Sequence, residues 1–312
     1  MAEHDQRFKQ LLQEFFPEFL ELFFPERAAR LDFRHIEWLD KELFPDPSQG
    51  DVFVLDLVAR LHRLPPADAP SAAPEELVTL VHIEVESREA VATFRRRMCQ
   101  YYESLRRKYG CPVLPVAVYL RVGLGGVGID GYAEDYDDLE VLRFRYLYVG
   151  LPGLEAEQYV AGGNWLGVGL SALMRIPRAR KAWLRSEALR RVLLECAENE
   201  YRRFLLGECV EAYLELDEEQ RREFDLLMQT EPYREVIPMA MTTYEKGVAQ
   251  GRAQGLRQSI RMTLEHHCGP LSASVAARLE AWPAEGLDDL LSAAIKGASL
   301  KELGLEDGAS AS

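Results

Sequence analysis

A chain of 312 residues is long enough for one sizeable core or two smaller ones, and 47% hydrophobic with 28% charged residues is the composition of a globular protein. No apolar run approaches the roughly 18 residues of a membrane span, and the polar start MAEHDQRFKQ has no secretory h-region, so a cytoplasmic location is expected. The net charge of −14 excludes a nucleic-acid coat protein but leaves room for an enzyme with an acidic site and a local basic groove.

The first predicted element is a helix over residues 4–24. Phe8, Leu11, Leu12, Phe15, Phe16, Phe19, Leu20 and Phe23 recur at helical spacing, and Pro17 kinks the run. Asp5 fits its amino-terminal cap. Residues 26–50 form a mixed connection with a short strand pair over 31–33 and 36–39 and a turn at Pro45, Pro47 and Gly50. Two strands follow, over 51–64 and 77–87, joined by the Pro/Ala loop PPADAPSAAP; they most simply make an antiparallel hairpin. Residues 88–109 are a basic helix with the apolar stripe Phe94, Met98, Tyr101, Tyr102 and Leu105. A third strand covers 112–120, its prolines indicating a sheet edge or the beginning of a strand, and a fourth covers 141–149.

This order predicts an α/β domain over 1–160, with a mixed central sheet flanked by helices. A helical C-terminal region over 161–305 follows, with helices over 165–174, 178–206 and 208–229 and one or two short ones in 270–304. Near 244–265, Gly247, Gly251 and Gly255 line one face of a helix, which allows close helix approach and makes a homodimer through the C-terminal helices a possible assembly. The tail 306–312 is expected to be disordered. The five cysteines are widely spaced with no CxxC, so neither a disulfide framework nor a thiolate zinc site is expected. His266-His267-Cys268 is read as a helix end, because adjacent residues rarely converge on one ion.

The chemistry concentrates in LVTLVHIEVES. Alternate residues of a strand share a face, so His82, Glu84 and Glu86 point one way in a strand otherwise suited to burial. Burying an unpaired carboxylate costs several kcal/mol. Asp56, in VFVLDLVARL, is a second acid in apolar sequence; a hairpin register that sets it opposite Glu84 would bring two carboxylates together. Such a pair suits magnesium, which takes oxygen ligands. The same spacing also fits a solvated strand face with an edge aspartate, and His82 fits either a buried, hydrogen-bonded histidine or support for Glu84. Helix 88–109 carries Arg88, Arg95, Arg96, Arg97, Arg106, Arg107 and Lys108, and a second basic stretch runs from 178 to 191; each is a candidate phosphate-binding surface or a solvated face.

HDQRFK at 4–9, LDKELF at 39–44, LDLVARL at 55–61, HIEVES at 82–87, FRRRMCQYY at 94–102, PVLPVAVYL at 112–120 and YEKGVAQGRAQG at 244–255 occur in an order that resembles the Rpn family of recombination-promoting nucleases and transposase-like proteins. That family belongs to the PD-(D/E)XK nucleases. The resemblance implies a restriction-endonuclease-like core and magnesium-dependent DNA endonuclease activity, with manganese able to substitute and no small-molecule cofactor. By position, Asp56 and Glu84 would be the metal-binding acids and Val85 would lend its backbone carbonyl. Glu86 stands where the superfamily has lysine and the Rpn branch more often glutamine, a departure that would make it a proton acceptor or a ligand of a second ion. Gln100 would be the polar residue that the following helix presents, and Arg95, Arg96 and Arg97 would meet DNA phosphates, Arg97 alternatively pairing with an acid. Asp5 and Glu42 also approach the site in the family pattern. The departure at Glu86 and the acidic total charge keep open a second expectation, an inactive nuclease-fold protein serving as an interaction or DNA-binding module.

Overall fold

The apolar spacing at the amino terminus produces two helices in succession, α1 (Ala2–Glu14) and α2 (Phe16–Phe23), parted at Phe15. Pro17 falls in the first turn of α2, where its missing N–H has no partner to lose. Phe8, Leu11, Leu12, Phe15, Phe16, Phe19 and Leu20 are buried, each phenylalanine contributing about 2–3 kcal/mol by leaving water. This computed structural model describes residues 2–39, 42–45, 52–64, 78–87 and 90–306. The loop expected at 65–74, Arg88, and residues 307–312 of the tail lie outside them, as do the side chains of Asp5 and Glu42.

A short α3 (Pro25–Ala28) leads into β1 (Leu31–Trp38), one strand with a register shift between Asp32 and Glu37 where the sequence suggested a pair. β2 (Glu42–Pro45) and β3 (Val52–Val54) form a small antiparallel ribbon. The expected strand over 51–64 is therefore broken: after a bend at Asp56, β4 (Leu57–Arg63) begins afresh and joins the main sheet. The rest of that sheet is β5 (Val78–Glu86), β6 (Val113–Tyr119), β7 (Gly126–Tyr136) and β8 (Leu139–Gly150), with α4 (Val91–Tyr109) linking β5 to β6. The order is β1-β4-β5-β6-β8-β7. β4 and β5 make the expected antiparallel hairpin, from Leu57 opposite Ile83 to His62 opposite Val78. β5, β6 and β8 run parallel, and β7 closes one edge antiparallel to β8.

β6 is thus an interior strand and not the edge its prolines allowed. Pro112 precedes it, and its ladder with β8 starts at Val116, one residue beyond Pro115, so neither proline interrupts the β8 pairing. The sheet is covered on both faces. Phe94, Met98 and Cys99 of α4 pack on Ala117, Tyr119, Phe144 and Tyr146. On the opposite face Phe16 of α2 meets Phe33 and Trp38 edge-on at 5.9 and 5.3 Å.

The remaining chain is helical: α5 (Ala156–Val160), α6 (Trp165–Leu170), α7 (Lys181–Arg190), α8 (Glu200–Tyr213), α9 (Glu218–Met228), α10 (Val236–Cys268), α11 (Ala273–Glu280) and α12 (Leu287–Ile295). The helix expected over 178–206 is divided by the non-helical residues 196–199, and that over 208–229 by the capping box of Asp217 and Gln220 at the start of α9. α10 ends at Cys268, with Gly269 at φ 80° as its stop. Two compact units result: Met1–Ala197 with Leu205–Met239, and Glu198–Phe204 with Ala240–Ser312. The division drawn at residue 160 from the sequence falls inside the first. In the second, Ile260, Leu264, Val275, Leu279, Leu287 and Ala294 form a core. There Phe204 and Tyr201 lie against Gly247 and Gly251, so these glycines of α10 serve close packing within the chain. No helix of the described residues is long and apolar enough to cross a membrane.

Candidate active site

β5 places three polar side chains in line on the face that α4 covers. Leu80 packs with Leu55, Val58, Tyr101 and Leu105. One pleat further, the His82 ring meets Tyr101 edge-on at 5.8 Å, and at the end of the strand Glu86 meets Arg97. Arg97 and Tyr101 are one helical turn apart, which is why one face of α4 supplies both. His82, Glu84 and Glu86 are 0%, 3% and 6% exposed. Carboxylates this deep must find partners, and each does.

Glu84 Oε1 accepts from the backbone N–H of Asp56 and from His82 Nε2, both at 2.9 Å. Glu84 Oε2 takes no hydrogen bond among the described residues. Asp56 Oδ2 accepts the Val85 N–H at 2.8 Å, and Oδ1 lies 2.5 Å from Lys9 Nζ of α1. Glu86 accepts the Ser87 N–H on Oε1 and Arg97 Nη2 on Oε2, each at 2.8 Å. The expected register is therefore present: Asp56, one residue beyond the Leu57–Ile83 pairing, lies beside Glu84.

The backbone explains how the pair meets. Even-numbered residues of β5 bond toward β6, as Leu80 N does to Pro112 and Leu120 N does to Glu86 O. Odd-numbered residues face β4. The β4 ladder stops at Leu57, so the Val85 N–H turns to the Asp56 carboxylate, and the Val85 carbonyl shares that edge. Burial first, and then the charge of Glu84, push the Asp56 carboxyl up to about 6 against the opposing pull of Lys9. Two carboxylates and a carbonyl gather here, all hard oxygen donors. Among the described residues no group of three or more His, Cys, Asp or Glu side chains is arranged to hold a metal ion. Magnesium needs fewer, one or two carboxylates completed by water and phosphate, and the Asp56–Glu84 pair fits that requirement.

The other expected residues are less united. Glu86 is held by Arg97 and by its own strand end, with no hydrogen bond to Asp56 or Glu84. Gln100 is exposed; Tyr101 takes the inward position next to it, so α4 does not bring Gln100 to the site. Arg95 grips Asp130 of β7 through two bonds of 2.8 and 2.7 Å. Tyr146 donates to the same carboxylate at 2.7 Å and lies 3.1 Å from the Tyr119 hydroxyl. Burial alone would raise Asp130, but the bonds from Arg95 and Tyr146 outweigh it and hold the carboxyl below the usual range. Of the three expected phosphate contacts only Arg96 is exposed without an ion-pair partner among the described residues. In the second basic stretch Arg178 pairs with Asp217, and Arg190 with Glu187 and Glu195. Lys9 escaped the sequence reading; its signal was a lone lysine between Phe8 and Leu11 in a helix of buried phenylalanines and leucines. No protein-family model, curated protein or solved structure matches the chain.

Proposed function

We propose that this protein is a magnesium-dependent DNA endonuclease with a restriction-endonuclease-like core, of the Rpn type that its ordered sequence segments resemble. The observation that carries this reading is the junction of Asp56 with Glu84. Buried Glu84 of β5 and half-buried Asp56, at the bend that leads into β4, sit where one cation would relieve both.

In this reading Asp56 and Glu84 hold the ion, with the Val85 carbonyl on the same edge. Magnesium, when bound, supplies Lewis acidity toward a water and a phosphodiester, and manganese can replace it. His82 fixes Glu84 by bonding Oε1, which leaves Oε2 for the ion. Arg96 offers an exposed cation to the DNA backbone and reads no sequence. Glu86 stays bound to Arg97, and this pairing shapes the end of β5. The test is supercoiled plasmid incubated with magnesium and wild-type, Asp56→Ala or Glu84→Ala protein. Nicking by wild type alone is expected; equal nicking by all three would sink the assignment.

A second reading, a nuclease-fold interaction module without catalysis, draws support from Glu86 and its ion pair with Arg97. Calorimetry separates the two, since a module of this kind would take up neither magnesium nor manganese.

A further inference from the structure

Hydrolysis of a phosphodiester builds negative charge on the phosphoryl oxygens, and a fixed cation beside them is worth most where water is scarce. Around the acid pair the arginines of α4 that are partly buried are already engaged, Arg97 with Glu86 and Arg95 with Asp130. The cation that touches the pair itself is Lys9, 2.5 Å from Asp56 Oδ1. Its side chain is 17% exposed, so it is largely withdrawn from water but not sealed off from it. The stem is also anchored. Phe8 is buried and packs edge-on against Tyr213 at 5.7 Å, Arg7 pairs with Glu208, and Leu11 and Leu12 are buried in the core.

We propose that Lys9 is a catalytic residue delivered from α1, serving the metal-dependent cleavage proposed above and resting on that reading. With substrate bound, its ammonium shifts from Asp56 Oδ1 to a non-bridging oxygen of the scissile phosphodiester and donates a hydrogen bond as charge develops there. Lys9 forms no covalent bond and gives up no proton; the bond made is from the water oxygen to phosphorus, the bond broken is from phosphorus to the leaving oxygen, which keeps the electron pair, and the proton shed by the attacking water reaches that oxygen through solvent. The same contact gives Lys9 a second effect. In the metal-free protein it is the counter-ion of Asp56, so it competes with the divalent ion for that carboxylate.

These two effects have opposite signs, which makes the proposal testable in the full-length chain. Manganese alone is titrated calorimetrically into wild type, Lys9→Met, Lys9→Arg and Asp56→Asn, and plasmid nicking is measured for the same set. Thermal melts check folding, and Lys9→Gln replaces the methionine variant should that one fail to fold. Lys9→Met is expected to bind manganese about 3–10-fold more tightly and to cut about 100-fold more slowly, with arginine restoring part of the rate. Cutting within about threefold of wild type would overturn the proposal, as would loss of manganese binding together with cutting, since Lys9 would then only shape the acid pair. Wild type that neither binds manganese nor cuts more than Asp56→Asn would bring down the nuclease reading and this one with it. Wild type that does both while Lys9→Met is unaltered removes Lys9 alone.

Discussion

Asp56 and Glu84 hold each other in place by exchanging unlike groups. The Asp56 amide donates to the Glu84 carboxylate at 2.9 Å, while the Asp56 carboxylate accepts from the amide of Val85, the residue after Glu84, at 2.8 Å. Each backbone thus fixes the other strand's acid. Conversion to amides leaves the ladder intact but removes the charge that attracts a cation. Asp56→Asn and Glu84→Gln should each weaken manganese binding by more than about tenfold with a near wild-type far-ultraviolet spectrum. Calorimetry beside circular dichroism checks this, and unchanged affinity in both variants would contradict it.

Asp56 also sets a pH dependence. Its carboxyl is raised, so the fold favours the protonated form; that stabilisation is complete below the ordinary value of 3.8 and disappears as pH climbs through about 6. By linkage, ionising it in the metal-free protein costs about 3 kcal/mol between pH 4 and pH 7. Urea unfolding of wild type and Asp56→Asn across that range should show the wild type losing ground by this order as pH rises. Magnesium should restore much of the loss. A stability difference that does not vary with pH would refute the account.

His82 supports the site without facing solvent. Its Nε2 is spent on Glu84, and Nδ1 is buried with no hydrogen-bond partner among the described residues. Replacement by alanine leaves Glu84 held by the Asp56 amide alone, and about a 10–100-fold loss of metal affinity or cleavage is expected. Asparagine, with an N–H available to Glu84, should recover part of it. Equal loss in both variants would show that packing against Tyr101 matters more than the bond.

Away from the acids, Asp130 accepts from Arg95 and Tyr146 together and so ties α4 to β7 and β8. Asp130→Ala strands both donors and should destabilise the fold by about 2–3 kcal/mol at neutral pH. Since its carboxyl is held low, the wild-type advantage should persist down to about the usual carboxylate range and fade as pH falls further. Denaturant midpoints at pH 7 and pH 3 measure both parts.

The glycines of α10 are expected to divide. A Cβ on Gly247 would stand 2.3 Å from Phe204 Cβ, whereas one on Gly255 meets nothing within 4 Å. Gly247→Ala should cost about 1–3 kcal/mol through overpacking, and Gly255→Ala should add up to about 1 kcal/mol through helix propensity. Thermal melts of the two variants provide the comparison.

The parts legible in the sequence were those with a strong period. β5 and α4 each carry an apolar repeat, and the two acids stood out because they interrupted one. β7 carried no such signal: GVGIDGYAEDY mixes glycines and acids, and as an edge strand it leaves Val127 and Ile129 exposed. Asp130 therefore gave no hint that it would meet Arg95 of α4. The break at Asp56 was hidden within a continuous apolar run, since a bend there needs neither glycine nor proline. Lys9 was hidden for a different reason. One cation in an amphipathic helix looks like surface until the helix is docked, and docking is a tertiary fact.

The early stop of β4 has one more consequence. Side chains reverse at every step along a strand, so the distance between the bend and Ile83 acts as a ratchet with two positions. Inserting one residue between Asp56 and Leu57 would turn the aspartate to the far side and leave Val85 without its acceptor; inserting two would restore the facing but lengthen the reach. Composition would be almost unaltered in either chain, and chemistry would depend on parity alone.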